Sequence, residues 1–232
     1  MLYTEEAVKA NIRSREGKRV FFLGKNDNLT SAARDYLSRE RIEIRPAQSA
    51  RPERFPLLGG GYCEEKPEHM THLDGVTLAP KTHPRIIFRG KMDTLEAHLI
   101  LCRLFVPRFD RELKDILGYV RLLLRCEVLG EPVPEQKICG LTEQELRQHS
   151  HFPQDYYNQP HFMPESEDGR EIAILNLTRC AAREAELAAA AAFTDGYGQV
   201  SRADLLRACN RLSSAVYLLM IRQRAARNEG TP

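Results

Sequence analysis

The chain is expected to be mainly α, a bundle of about five helices with a small N-terminal α/β unit, and three observations predict this. Apolar residues recur at helical spacing over about 85–105, 110–129, 169–193 and 201–227, and each stretch is bounded by capping or breaking residues. The first fifty residues instead read as strand, helix, strand. Between these regions, from Ala47 to about Met70, the chain is rich in Pro, Gly and charge, which cannot bury much apolar surface and reads as linker. The expected boundaries are therefore 1–50 for the small unit, 51–70 for the linker and 71–232 for the bundle.

In the small unit Thr4 can cap a helix through about Ser14. Arg19 to Leu23 (RVFFL) is a short strand, the loop GKNDN follows, Thr30 caps a helix over Ser31 to Arg39, and Ile42 to Arg45 is a second strand. That succession implies a crossover and a parallel pair. In the linker, Gly59-Gly60-Gly61 lacks the spacing to a Lys-Ser/Thr that a phosphate loop needs, so flexibility is its reading.

Composition bounds the function. A chain of 232 residues, 42% hydrophobic and 28% charged, has the make-up of an ordinary soluble domain. With 34 basic and 32 acidic residues the net charge is only +2, which gives no general attraction to nucleic acid. The first residues lack the apolar core of a secretory signal and there is no apolar run long enough to span a bilayer, so a cytoplasmic protein is expected. Six cysteines without a CxxC pair read as small core residues in a reducing compartment. Cys63, His69 and His72 form the one cluster with metal-ligating residue types, but no fourth ligand accompanies it.

The bundle elements follow from periodicity. Ile86, Phe88, Met92, Leu95, Leu99 and Leu104 make a broad apolar face on the first long helix, with Asp93 among them; a carboxylate buried there needs a partner. Leu113, Ile116, Leu117, Val120 and Leu124 repeat the pattern until Gly130 and Pro132. Thr142-x-x-Glu145 is a capping box for a short helix to about Ser150. The aromatic, proline-rich segment 151–169 is irregular and suits a lid or pocket wall. Ser201-x-x-Asp204 caps the last helix.

The stretch NLTRCAAREAE, Asn176 to Glu186, carries Arg179, Arg183 and Glu186 at offsets of four and three, so the three side chains share one helix face. Two guanidiniums in line offer fixed forks of N–H donors to phosphate or carboxylate. The other reading of the same spacing is a solvated charged stripe with an internal Arg183–Glu186 pair.

Taken in order, THLDGVTLAPKTHPRIIFRGKMDTLEA, VLGEP followed by GLTEQEL, LNLTRCAAREAELAAAAAF and ACNRLSSAVYLLMI resemble the ethanolamine-utilisation type of cobalamin adenosyltransferase and, more distantly, the propanediol-utilisation type. The resemblance implies a helical bundle that assembles into a homo-oligomer, dimer or trimer, with ATP held between subunits. It also implies transfer of the 5′-deoxyadenosyl group of ATP, accompanied by Mg²⁺, to reduced cobalamin. A reductase, an adenosylcobalamin-dependent lyase and the shell of a bacterial microcompartment are the implied partners. By motif, Arg183 matches the arginine on the polyphosphate, Arg179 the arginine that pairs with an aspartate at the subunit contact, and Asp93 that aspartate. Glu186 orients the arginines, Lys81 and Arg85 match the lysine and arginine ahead of the first bundle helix, and Asn210 matches an asparagine near the nucleotide. Phe162 resembles the phenylalanine that displaces the lower ligand of the corrin ring.

Ser214 and Glu184 depart from the family pattern, standing where the more distant type has an aspartate and the second of two arginines. The Cys-rich element that binds a divalent transition metal in ethanolamine-type enzymes is reduced to Cys63 in a shorter linker, so no transition-metal site is expected. The alternative functions are a non-catalytic carrier of adenosylcobalamin, and a microcompartment assembly protein docking through residues 4–14.

Overall fold

Thr4 accepts the Ala7 N–H at its hydroxyl, 3.3 Å away, and starts helix α1 (Glu5–Ala10). The structure is a computed structural model in which residues 2–15, 18–24, 27–46 and 54–229 are described. It divides into two units, Met1–Phe55 with Gly61–Glu65, and Pro56–Gly60 with Lys66–Pro232. Residues 47–53 of the expected linker, and part of the GKNDN loop, lie outside the described residues.

In the first unit α1 stops at Ala10, and Arg13–Arg15 is strand β1, antiparallel to β2 (Lys18–Leu23). The expectation of a helix through Ser14 is thus corrected. Val8, on its inner face, is fully buried in this unit's core with Phe21, Ala33 and Leu37, so α1 is packed through that face. Helix α2 (Ser31–Arg39) is capped by Thr30, and β3 (Glu43–Pro46) returns parallel to β2 with Val20 opposite Glu43. The expected parallel pair is present, widened by β1 on the other edge of β2.

The second unit begins with a small hairpin, β4 (Met70–His72) and β5 (Leu78–Pro80). Asp74 turns it by accepting the Val76 and Thr77 N–H groups at 2.9 and 2.7 Å. His83 then caps α3 (Pro84–Phe105), its ring Nδ1 accepting from the Arg85 N–H, with Pro84 in the first turn. Helix α4 (Asp110–Leu129) ends at Gly130, whose φ of 70° is left-handed, as a helix-terminating glycine allows. Helix α5 (Glu143–His151) carries the capping box of Thr142 and Glu145.

The segment 151–169 is not wholly irregular. Pro153 can occupy a first helical turn, and α6 (Pro153–Tyr157) forms there before Asn158 closes it in a left-handed conformation. The two long helices α7 (Arg170–Phe193) and α8 (Ala203–Glu229) complete the bundle. At the start of α8 the Ser201 hydroxyl donates back to Phe193 O, while Asp204 accepts from Arg202 and from the Val133 N–H.

α3 and α7 run antiparallel: Phe88 meets Phe193 edge-on at 5.8 Å, and Cys102 reaches Thr178. The inner face of α7 is Thr178, Ala181, Ala182, Ala185 and Ala189, small enough for α3 and α8 to approach closely on either side. On α3 the buried positions are Phe88, Met92, Leu95, Leu99 and Cys102. Asp93 follows Met92 by one residue, a turn of about 100° around the helix, and is exposed. The expected burial of this carboxylate is therefore corrected, and Leu104, assigned to the inner face, is 74% exposed.

Candidate active site

Helix α7 presents Arg179, Arg183 and Glu186 on one face, and α8 meets that face with Asn210. The Asn210 side-chain amide donates to Glu186 Oε1 at 2.5 Å. Glu186 is thereby fixed from the neighbouring helix, which leaves Arg183, one turn away and exposed, with no hydrogen-bond or ion-pair partner among the described residues. The internal Arg183–Glu186 pair, open from spacing alone, is not formed. Arg179 is half-buried and donates through Nε and Nη2 to Asn176 Oδ1 at 3.1 and 2.9 Å. An asparagine three residues earlier thus aims a guanidinium along the helix, a role for Asn176 that spacing alone did not single out.

Of the remaining expected residues, Lys81 is exposed where β5 ends, and its backbone N–H donates to His69 O at 2.8 Å. Asp93 is exposed on α3 and makes no pair with Arg179 within the chain. Arg85 is engaged elsewhere: it donates through Nε to Glu127 Oε1 at 2.5 Å and through Nη2 to Glu127 O at 3.1 Å. Arg89 completes this knot, with Nε on Glu127 Oε2 at 2.6 Å and Nη2 on Leu73 O. Glu127 is fully buried, and a carboxylate there requires counter-charge and hydrogen bonds. The knot ties α3, α4 and the hairpin behind Lys81 together, which makes Arg85 a structural anchor. No pattern local to Glu127 marks it in the sequence.

Phe162 is half-buried against the bundle, with the Arg224 guanidinium 4.2 Å from its ring centre. Beside it His161 Nδ1 lies 2.8 Å from the Tyr217 hydroxyl, and the two rings stack. Tyr217 stands on α8 near Arg179; burial raises its hydroxyl pKa, opposed by a hydrogen bond with the Phe162 backbone and, less, by the positive fields of Arg179 and Arg224. The segment that carries Phe162 is therefore pinned to the helix that faces the arginines. Phe152, Tyr156 and Met163 in the same segment are exposed, Met163 by 81%.

Two further features surround the arginine face. Outward positions of α3, namely Ile87, Gly90, Thr94, Ala97, Leu101 and Leu104, recur at offsets of three and four and are all exposed. Those of α7, Ala173, Leu177, Cys180, Glu184, Leu187 and Ala191, do the same. Both are apolar seams of the spacing by which helices pair, and Lys91 joins them by an ion pair with Glu184 at 2.7 Å.

Over residues 61–223 the chain matches the family model described as cobalamin adenosyltransferase. The chain belongs to the cobalamin adenosyltransferase family. It is 31% identical to the corrinoid adenosyltransferase EutT of Escherichia coli K12 and 32% identical to that of Salmonella typhimurium LT2. Each comparison covers 94% of this chain and 90% of the relative.

As a cobalamin adenosyltransferase family member the chain is a transferase, and its mainly α fold with a small α/β part agrees with the sequence expectation. Among the described residues no three His, Cys, Asp or Glu side chains come together as ligands. Cys63 is half-buried, with its thiol directed to Phe55 O. No helix among the described residues is long and apolar enough to cross a membrane.

Proposed function

We propose that this chain transfers the 5′-deoxyadenosyl group of ATP to cob(I)alamin, in active sites formed between copies of itself. The observation that carries the proposal is Arg183: an exposed guanidinium with no partner among the described residues, one turn from a carboxylate that Asn210 already holds. In the reaction Co(I) is the nucleophile. Its electron pair forms the Co–C5′ bond, the C5′–O bond breaks, and that bond's electrons leave on the triphosphate, so negative charge grows on the phosphate oxygens. Arg183 stabilises that charge, Lys81 grips the phosphate tail with its Mg²⁺, and Asn210 with Glu186 sets the rim of the nucleotide pocket.

The paired seams of α3 and α7 support a homo-oligomer, because exposed apolar faces of this length are covered in stable proteins by a partner. A second copy laid on them would bring its Asp93 to Arg179, giving each a counter-charge that it has from no described residue of its own chain. The exposed apolar side chains of 152–163 suit the underside of a corrin ring, and Phe162 reaches it by leaving the Arg224 guanidinium. The cobalt must arrive reduced, so an external reductase supplies electrons. The product suits an adenosylcobalamin-dependent lyase of ethanolamine breakdown, in the cytoplasm or inside a microcompartment.

The test is optical. Chemically reduced cobalamin with Mg-ATP and the protein should convert to a light-sensitive alkylcobalamin. If the protein instead binds adenosylcobalamin tightly and gives no ATP-dependent conversion, it is a carrier and the catalytic proposal fails.

A further inference from the structure

Helices α7 and α8 run antiparallel, and one stripe of α8 meets both ends of the arginine face. Asn210 lies against Glu186, and Tyr217, seven residues further along α8, lies near Arg179, seven residues back along α7. Seven residues are almost two full turns, so Asn210, Tyr217 and Arg224 share one side of α8, each about 10 Å beyond the last. Asn210 stands at the proposed nucleotide arm, whereas Tyr217 and Arg224 both touch the segment that ends in Phe162.

The Tyr217 hydroxyl is used twice there. His161 Nε2 lies 3.1 Å from His151 O, one of the last carbonyls of α5, where partners within the helix run out. A carbonyl only accepts, so Nε2 carries the proton and Nδ1 of the neutral ring is a bare acceptor. The Tyr217 O–H, 2.8 Å away, therefore donates to Nδ1, and the two rings stack with 12° between their planes. With its proton committed, the same oxygen accepts from the Phe162 backbone N–H.

His161 thus closes the base of the loop 152–160 onto α5, and Tyr217 ties that base to α8. The Phe162 ring lies outside this lock, against the Arg224 guanidinium, 4.2 Å from its centre, which is also drawn to Asp168 at 3.4 Å. A fixed backbone and a releasable ring let one side chain turn under a corrin while its segment keeps its place.

We infer that Tyr217 is a positioning residue for adenosyl transfer: its hydroxyl anchors the His161–Phe162 turn against the arginine face, so that Phe162 meets the lower side of the corrin ring in register with the nucleotide. This role rests on the proposed action of Phe162 below the ring and adds the residue that places it. Its consequence is confined to one step. Axial ligands set the potential of a macrocycle-bound metal, so displacing the lower ligand eases reduction of cob(II)alamin. Cob(I)alamin has no axial ligand left to displace.

Tyr217→Phe removes the hydroxyl and keeps the ring, and His161→Ala removes the other end of the same bond at an exposed position. With Mg-ATP, each protein is given either cob(II)alamin and dihydroflavin, which supplies the one electron, or cob(I)alamin already reduced by borohydride. The ratio of the first rate to the second is expected to fall roughly tenfold or more in both variants. Electron paramagnetic resonance of bound cob(II)alamin reads the placement without catalysis: wild type should suppress the nitrogen splitting from the lower ligand, and Tyr217→Phe, His161→Ala and Phe162→Ala should restore it. A wild-type ratio and spectrum in either anchor variant, while Phe162→Ala restores the splitting, overturns the role of Tyr217 alone. An equal fall of both rates, with the splitting still suppressed, marks a merely structural pair and overturns it too. Splitting retained by the wild type refutes the action of Phe162 and the anchor with it.

Discussion

The side-chain amide of Asn210 lies 2.5 Å from Glu186 Oε1, and this one hydrogen bond decides what Arg183 is free to do. With Glu186 satisfied from α8, the guanidinium one turn away is available to an incoming phosphate. Asn210→Ala removes the donor and lets Glu186 pair with Arg183 within the helix. A hydrogen bond to a charged group contributes about 1.5–3 kcal/mol, so kcat/KM for ATP should fall roughly 10- to 150-fold with little change in melting temperature. Steady-state kinetics at saturating cob(I)alamin would show it, and an unchanged KM for ATP together with an unchanged kcat would remove Asn210 from the site.

The knot of Arg85, Arg89 and Glu127 predicts a loss of stability and not of chemistry. Glu127→Ala strands two guanidiniums against a buried cavity; breaking a buried ion pair by removing one partner costs about 3–5 kcal/mol. Urea unfolding of the variant should show a midpoint well below that of the wild type. A midpoint equal to wild type would mean that the Arg85 and Arg89 guanidiniums find other partners.

Acid stability should depend on Asp204. The hydrogen bond from Arg202 holds the Asp204 carboxyl far below the ordinary carboxylate range, against the effect of burial. A folded-state value below the unfolded one contributes stability that is fully present above about pH 4 and is lost as the pH falls toward the folded value. Asp204→Asn should therefore destabilise by about 1–3 kcal/mol at pH 7 and by progressively less below pH 4. Denaturant midpoints at pH 7 and pH 3 give the comparison, and a difference that grows in acid would contradict the assignment.

The seams of α3 and α7 predict self-association that a thiol can report. Cys180 is exposed in the middle of the α7 seam, whereas burial pushes the Cys139 and Cys209 thiols up to about 12. In dilute protein Cys180 should react with a maleimide ahead of these two, and it should become protected as concentration rises. Leu187→Asp, at a position 69% exposed in the single chain, should abolish both that protection and the activity. Equal labelling at all concentrations would leave the seams without a partner copy.

Much of this was legible in the sequence, because helices of this length write their buried faces as periodicity. The ends of α3, α4 and α7 fall within a residue of where the pattern and its capping and terminating residues put them. The apolar sequence neighbourhood of Asp93 hides its exposure, because α3 carries apolar residues on two sides: Leu104, like Ile87 and Leu101, belongs to a second, outward seam. Helix α1 is shorter than its sequence implies because pairing of Arg13–Arg15 with β2, a tertiary effect, ends it. Arg85 and Glu127 lie 42 residues apart, and no local pattern could have joined them. At the candidate site the motif named Arg179, Arg183, Glu186 and Asn210 together, but the contact between the last two belongs to the packing of α7 on α8, and the anchoring of Arg179 by Asn176 to side-chain geometry within α7.

The most direct test of the central claim is the rate of Co–C bond formation followed by absorbance under strong reductant with Mg-ATP, in wild type and in Arg183→Ala. Loss of one preorganised charge-stabilising donor costs about 10²–10³-fold, so the wild type should convert cob(I)alamin readily and the variant at least a hundredfold more slowly. Equal rates in the two proteins, or no conversion by the wild type, would contradict a role for the α7 arginine in drawing off the triphosphate.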